Sequence, residues 1–133
     1  MAKKKTWRQR LDKTNNDLAR LVVRARDEDT CQWCGAKCYG KDSHPHHIIH
    51  RGNSLYLKWD LLNIVILCKK CHSKYHHTET DGLPWFQAKF PARWAYLEPR
   101  KNILAGWQVK SDYEAIRDGL KAKLAELQTG ERL

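Results

Sequence analysis

Asn63-Ile64-Val65-Ile66-Leu67-Cys68-Lys69-Lys70-Cys71-His72 is the stretch whose reading decides the fold, with His76 one helical turn further on. Ile64 to Leu67 is an apolar run rich in β-branched residues, bounded by Asn63 and Cys68, and it predicts a strand. After Cys71 the sequence predicts a short helix running to about Thr78. On such a helix His72 and His76 project from one face, while His77 points elsewhere. Upstream, His46-His47-Ile48-Ile49 predicts a short strand, and Arg51-Gly52-Asn53-Ser54 predicts a turn or loop. Strand, loop, strand and helix in that order make a ββα unit.

Helices are expected on both sides of this unit. Leu18, Leu21, Val22 and Ala25 recur at helical spacing and predict a helix over about 14–27, with Thr14 or Asn15 as its cap. Asp81-Gly82 is read as the end of the central unit. Pro84 can open a further helix rich in aromatics, which Pro91 breaks or kinks before a second short run through Trp94, Tyr96 and Leu97. The clearest helix is expected over 111–128, with Ser111 and Glu114 as a capping box and Tyr113, Ile116, Leu120, Leu124 and Leu127 as its apolar stripe. That stripe should pack on the domain or on a second subunit. The expected fold class is α+β, in one domain over 1–133. Its core spans about 28–80, with an N-terminal helix over about 14–27 and a helical extension over about 83–128.

The chain has 133 residues, a formal net charge of +10 and a pI near 9.5. That surplus favours a polyanionic partner, of which nucleic acid is the commonest, the plainer alternative being a basic protein with no such partner. Lys3-Lys4-Lys5 is read as a solvated run able to touch phosphates. No segment approaches the roughly 20 apolar residues that span a bilayer, so no membrane association is expected. The first residues lack the apolar stretch of a secretory signal, so the expected location is the cytoplasm. Thiols stay reduced there, and five cysteines then argue for metal binding before disulfides.

Cys31-x-x-Cys34 and Cys68-x-x-Cys71 are two knuckles of matching spacing. A two-residue gap lets one turn aim both sulfurs at one ion. Four thiolates close a tetrahedral zinc site that is structural, with no open position for chemistry. Cys38 is left over and is read as an unliganded thiol, the alternative being that it replaces a neighbouring cysteine as ligand.

The histidines carry the second signal. His72 and His76 at helical spacing can hold one divalent ion, and His46 can complete the set while leaving positions open. His47 leaves the opposite side of the strand and can serve as a general base. Asn63 can hold the backbone around His47. The plainer alternative makes these histidines surface residues or further zinc ligands. His44, His50 and His77 are set aside from the site.

These residues resemble the HNH endonuclease superfamily (ββα-metal, His-Me finger) of zinc-knuckle type. The likeness rests on His46-His47-Ile48, on Asn63 through His72 and on His76, and with both knuckles it covers residues 31 to 77. Arg51-Gly52-Asn53, Leu57-Lys58-Trp59-Asp60, Trp85-Phe86 and Phe90-Pro91 are similar to small phage and prophage HNH proteins. The resemblance implies His47 as general base, Asn63 as the brace of the loop that carries it, and His46 and His72 as metal ligands. His76 matches the additional ligand of colicin-type nucleases, which share this Asn–His–His spacing. Many HNH enzymes have Asp at the position of His46, and some have Asn at that of His72. The all-histidine set is softer, so Zn²⁺, Ni²⁺ or Co²⁺ join Mn²⁺ and Mg²⁺ as candidate ions.

The implied function is metal-dependent hydrolysis of DNA phosphodiester bonds, by nicking or double-strand cleavage, in a monomer or homodimer. Arg51 is a candidate phosphate contact, or else a surface or Asp60-paired arginine. Trp59 and Asp60 are read as structural. The alternative function is a non-catalytic zinc-containing nucleic-acid-binding module or a phage assembly adaptor.

Overall fold

A computed structural model describes residues 3–50, 54–77, 79–104 and 109–129, with the backbone alone for 77 and 79–81. Helix α1 spans Trp7–Arg26. It starts a full two turns before the expected position because Thr6 and Gln9 form a capping box. Gln9 N–H donates to Thr6 Oγ1 at 3.1 Å, and Thr6 N–H donates to Gln9 Oε1 at 3.0 Å. Thr14 and Asn15 are therefore interior helical residues, not caps. Asn15 is fully buried and donates to Tyr113 O at 3.2 Å. The helix ends at Arg26 with Asp27 as its C-cap, and Glu28 and Asp29 just beyond it are in left-handed backbone at φ 54° and 52°.

Strand β1 spans Ser43–His47 and strand β2 spans Ile64–Cys68. They pair antiparallel, with Ser43 opposite Cys68, His46 opposite Val65 and His47 opposite Ile64. β2 is buried along its whole length, which explains its unbroken apolar run. β1 begins three residues earlier than expected and includes Pro45. Proline is tolerated there because, among the described residues, β1 has a strand on one side only, and Pro45 needs no partner for a missing N–H.

Helix α2 spans Lys69–His77 and begins at the end of β2, so Cys71 and His72 are already helical. Helix α3 spans Glu79–Lys89 and runs through Gly82 and Pro84, correcting the expected break at Asp81-Gly82. Gly82 is a contact glycine instead of a stop. A Cβ there would lie 2.7 Å from Tyr75 Cγ, so only glycine lets α3 approach the α2 tyrosine this closely. Helix α4 spans Pro91–Leu97 and starts on its proline, where a missing N–H is harmless.

Helix α5 spans Lys110–Gln128. Ser111 and Glu114 do not cap it, because Val109 occupies the N-cap and Val109 N–H donates to the Asp112 carboxylate at 3.4 Å. Its stripe packs within the chain, on α1: Tyr113 and Leu120 are buried, and Tyr113 meets the Trp7 and Trp59 rings edge-on at 5.4 and 5.6 Å. Trp59 Nε1 also donates to Asn16 Oδ1 at 2.8 Å. Asp60 accepts from Tyr96 Oη at 2.6 Å and from Leu62 N–H at 3.0 Å. Both residues have structural partners. Among the described residues, no helix is long and apolar enough to cross a membrane.

Candidate functional site

Two knuckles meet where β2 turns into α2. The sulfurs of Cys31, Cys34, Cys68 and Cys71 all lie within 4.8 Å of one another. Cys34 N–H points at Cys31 Sγ at 3.5 Å, and Cys71 N–H points at Cys68 Sγ at 3.4 Å. Gly35, at φ 80°, closes the first knuckle by donating to Cys31 O at 2.9 Å. Burial pushes the Cys31 thiol up, but the N–H groups of Cys34, Cys68 and Trp33 outweigh it and bring the thiol down to about 7. Burial, with neighbouring thiols adding to it, pushes Cys71 up, and burial also raises Cys68. One thiolate thus disfavours the next, and a divalent cation among them reverses that balance. The donor set suits structural zinc. Cys38 stands outside the cluster, buried, with its thiol pushed up to about 11 by that burial.

The second cluster lies between β1 and α2. β1 carries His46 and α2 carries His72 and His76, and one nitrogen from each lies within 4.8 Å of the other two. His72 Nε2 and His76 Nε2 are 3.0 Å apart. His46 is buried, and among the described residues its Nε2 has no hydrogen-bond partner. A buried polar atom of that kind needs a reason, and a cation shared with His72 and His76 supplies one. Burial, reinforced by the neighbouring imidazoles, lowers His46 to about 3. Burial likewise lowers His72 to about 4, with His76 and His44 adding to it. Neutral imidazoles are the form that binds metal, so burial keeps these two ready at neutral pH.

His47 follows His46 on β1. Its Nε2–H donates to Lys58 O at 2.8 Å, which places the lone pair of the neutral ring on Nδ1. Asn63 sits fully buried behind this loop. Its Oδ1 accepts from Ile49 N–H at 2.8 Å, and its Nδ2 donates to Ile49 O at 2.9 Å and Leu57 O at 3.2 Å. Ile48 N–H donates to Asn63 O at 2.9 Å. One side chain therefore ties together the chain just after His47, the loop that offers Lys58 O, and the start of β2.

Residues 31–78 match the family model for HNH endonuclease. The matched stretch holds both knuckles, the hairpin and the whole of α2. No curated protein and no solved structure matches the chain.

Within the matched segment, His46, His47, His50, His72 and His76 line a cleft of about 260 Å³, and Arg20 of α1, outside that segment, lines it with them. Sequence reasoning missed Arg20, since its place depends on how α1 crosses the hairpin. It also missed Tyr75, whose ring lies 4.1 Å from that of His46, centroid to centroid, and walls one side of it. Tyr75 is pushed up to about 12 by burial, so it stays a neutral phenol. His44, set aside on sequence, lies against His72, and its position on β1 follows from the strand starting at Ser43. Arg51 and the side chain of His77 lie outside the described residues.

Proposed function

We propose that this chain is a metal-dependent HNH endonuclease that hydrolyses DNA phosphodiester bonds. The observation that carries the reading is the convergence of His46, His72 and His76 on one point beside His47, with His46 Nε2 otherwise orphaned. A divalent ion held by these three imidazoles would supply positive charge against the developing charge on phosphate oxygens and leaving group.

The remaining work falls to the chain. His47, oriented by Lys58 O, takes a proton at Nδ1 from the attacking water. The water oxygen bonds to phosphorus, the P–O3′ bond breaks, and the leaving oxygen takes a proton from solvent. The products are a 5′-phosphate and a 3′-hydroxyl. Asn63 keeps His47 aimed by fixing the backbone on either side of its support. Arg20, on the wall of the cleft, is placed to meet a phosphate of the same strand. Arg51 is a second candidate for that contact. The net charge of +10 agrees with a DNA partner.

Plasmid nicking with added Mn²⁺ or Mg²⁺ tests the reading, and separates nicked from linear product. His47→Ala should abolish cleavage and leave metal and DNA binding in place. DNA binding by the wild type with no cleavage in any of Mn²⁺, Mg²⁺, Co²⁺, Ni²⁺ or Zn²⁺ would favour a non-catalytic zinc module instead.

A further inference from the structure

His44 is a histidine the mechanism above does not use. It precedes His46 by two positions on β1, so both side chains leave the same face of the strand. Its Nδ1 lies 3.0 Å from His72 Nδ1, and its Nε2 lies 2.9 Å from Lys41 O.

The protons of this chain of contacts can be assigned. A carbonyl oxygen only accepts, so the contact with Lys41 O requires the proton on His44 Nε2. A neutral imidazole carries one N–H, so His44 Nδ1 holds a lone pair. His72 Nδ1 must then be the donor. The single proton of neutral His72 is thereby placed on Nδ1, and its Nε2 holds a lone pair. That Nε2 is the atom 3.0 Å from His76 Nε2, on the side where the three imidazoles converge.

We infer that His44 is a positioning residue: backed by the Lys41 carbonyl, it fixes His72 in the Nδ1–H tautomer and so presents His72 Nε2 to a divalent cation. The inference rests on the reading of His46, His72 and His76 as one ligand set. A ligating histidine generally donates its second N–H to an oriented acceptor, which fixes the ring and raises its basicity. Here the acceptor is another imidazole, itself oriented by main chain. Lys41 belongs to a 3-10 turn over Gly40–Asp42. Asp42 Oδ1 of the same turn accepts from Lys69 N–H at 3.0 Å, at the start of the helix that carries His72. The turn that orients His44 is thus tied to the helix His44 acts upon.

The full chain, with zinc kept in its cysteine site, allows a direct test. Two-bond ¹H–¹⁵N spectra of the histidine rings, recorded before any further ion is added, should show His72 protonated at Nδ1. Calorimetric titration with Mn²⁺ or Co²⁺ should then give weaker binding to His44→Ala, by roughly 10- to 100-fold. His44→Gln, whose amide oxygen can accept the Nδ1–H, should recover affinity. Retained zinc stoichiometry in both variants reports an intact fold. An Nε2–H tautomer of His72 in the wild type overturns the inference, as does equal affinity in wild type and His44→Ala. Absence of any ion at the histidine cluster of the wild type removes the metal reading and the inference with it, and the tautomer spectrum separates that outcome from failure of the relay alone.

Discussion

Asn63→Ala deletes three hydrogen bonds made by one fully buried side chain, to Ile49 N–H, Ile49 O and Leu57 O. Each such bond is worth about 0.5–1.5 kcal/mol net, and a buried group left unpaired adds about 1–3 kcal/mol. Ile49 is only half-buried, so water can replace part of what it loses. Leu57 is fully buried, so its carbonyl has poorer recourse. The sum is a destabilisation of about 2–4 kcal/mol, which for a domain of this size lowers Tm by roughly 10 °C. Asn63→Asp sharpens the test. The carboxylate still accepts from Ile49 N–H, but it sets an oxygen against two carbonyl oxygens where the amide donated. It should be at least as damaging as alanine at neutral pH and should improve as pH falls and the acid becomes a donor. Thermal unfolding followed by circular dichroism, with zinc content matched, measures both. An Asn63→Ala melt within about 2 °C of wild type would mean that these bonds do not brace the loop, and the positioning of His47 would need another cause.

Removal of the cysteine-bound zinc should lower Tm sharply and loosen the junction of β2 with α2, since affinity for a structural ion is folding free energy; an unchanged melt after complete removal counts against the four-cysteine site. Arg20→Ala should weaken DNA binding and reduce the slope of log affinity against log salt by about 1, as expected for one lost phosphate contact. An unchanged slope would leave Arg20 as a solvated partner of Asp17, 3.6 Å away. His46 is about 3 in the folded chain against 6.5 for its ordinary value. The unfolded chain therefore binds more protons between those values, and the stability this neutral ring contributes is present above 6.5 and lost as pH falls. Urea midpoints measured between pH 7 and pH 5, with no divalent ion added, should fall more steeply for wild type than for His46→Gln, and parallel profiles would show that burial does not hold the ring neutral.

What could be read from the sequence is what spacing alone decides. Cys31-x-x-Cys34, Cys68-x-x-Cys71 and the His72/His76 pair act over a turn or less, and the structure places each group together. The β2 run was legible because a strand buried on both faces shows no alternation. Element starts were less so. Thr6 and Gln9 sit in a basic, polar opening that resembles a tail, so the later Thr14 looked like the cap. Gly82 and Pro84 read as punctuation, although helix α3 runs through both. Gly82 answers to Tyr75, a side chain on another helix, and no local pattern reports that.

Arg20 and His44 show the same limit at the site itself. Arg20 reads as one more charged residue on the polar side of an amphipathic helix. It becomes part of the histidine cleft only because α1 packs across the hairpin with Ala19 and Val23 buried beneath it. His44 is separated from His46 by Pro45, and proline argues against extending a strand backwards. The strand extends all the same, since Pro45 stands opposite Ile66 on a chain with only one neighbour. That extension turns His44 from a bystander into a residue on the same face as His46 and within reach of His72. The proposed ligand pair His72 and His76 could be read from spacing, whereas the histidine proposed to orient His72 depends on where a strand begins.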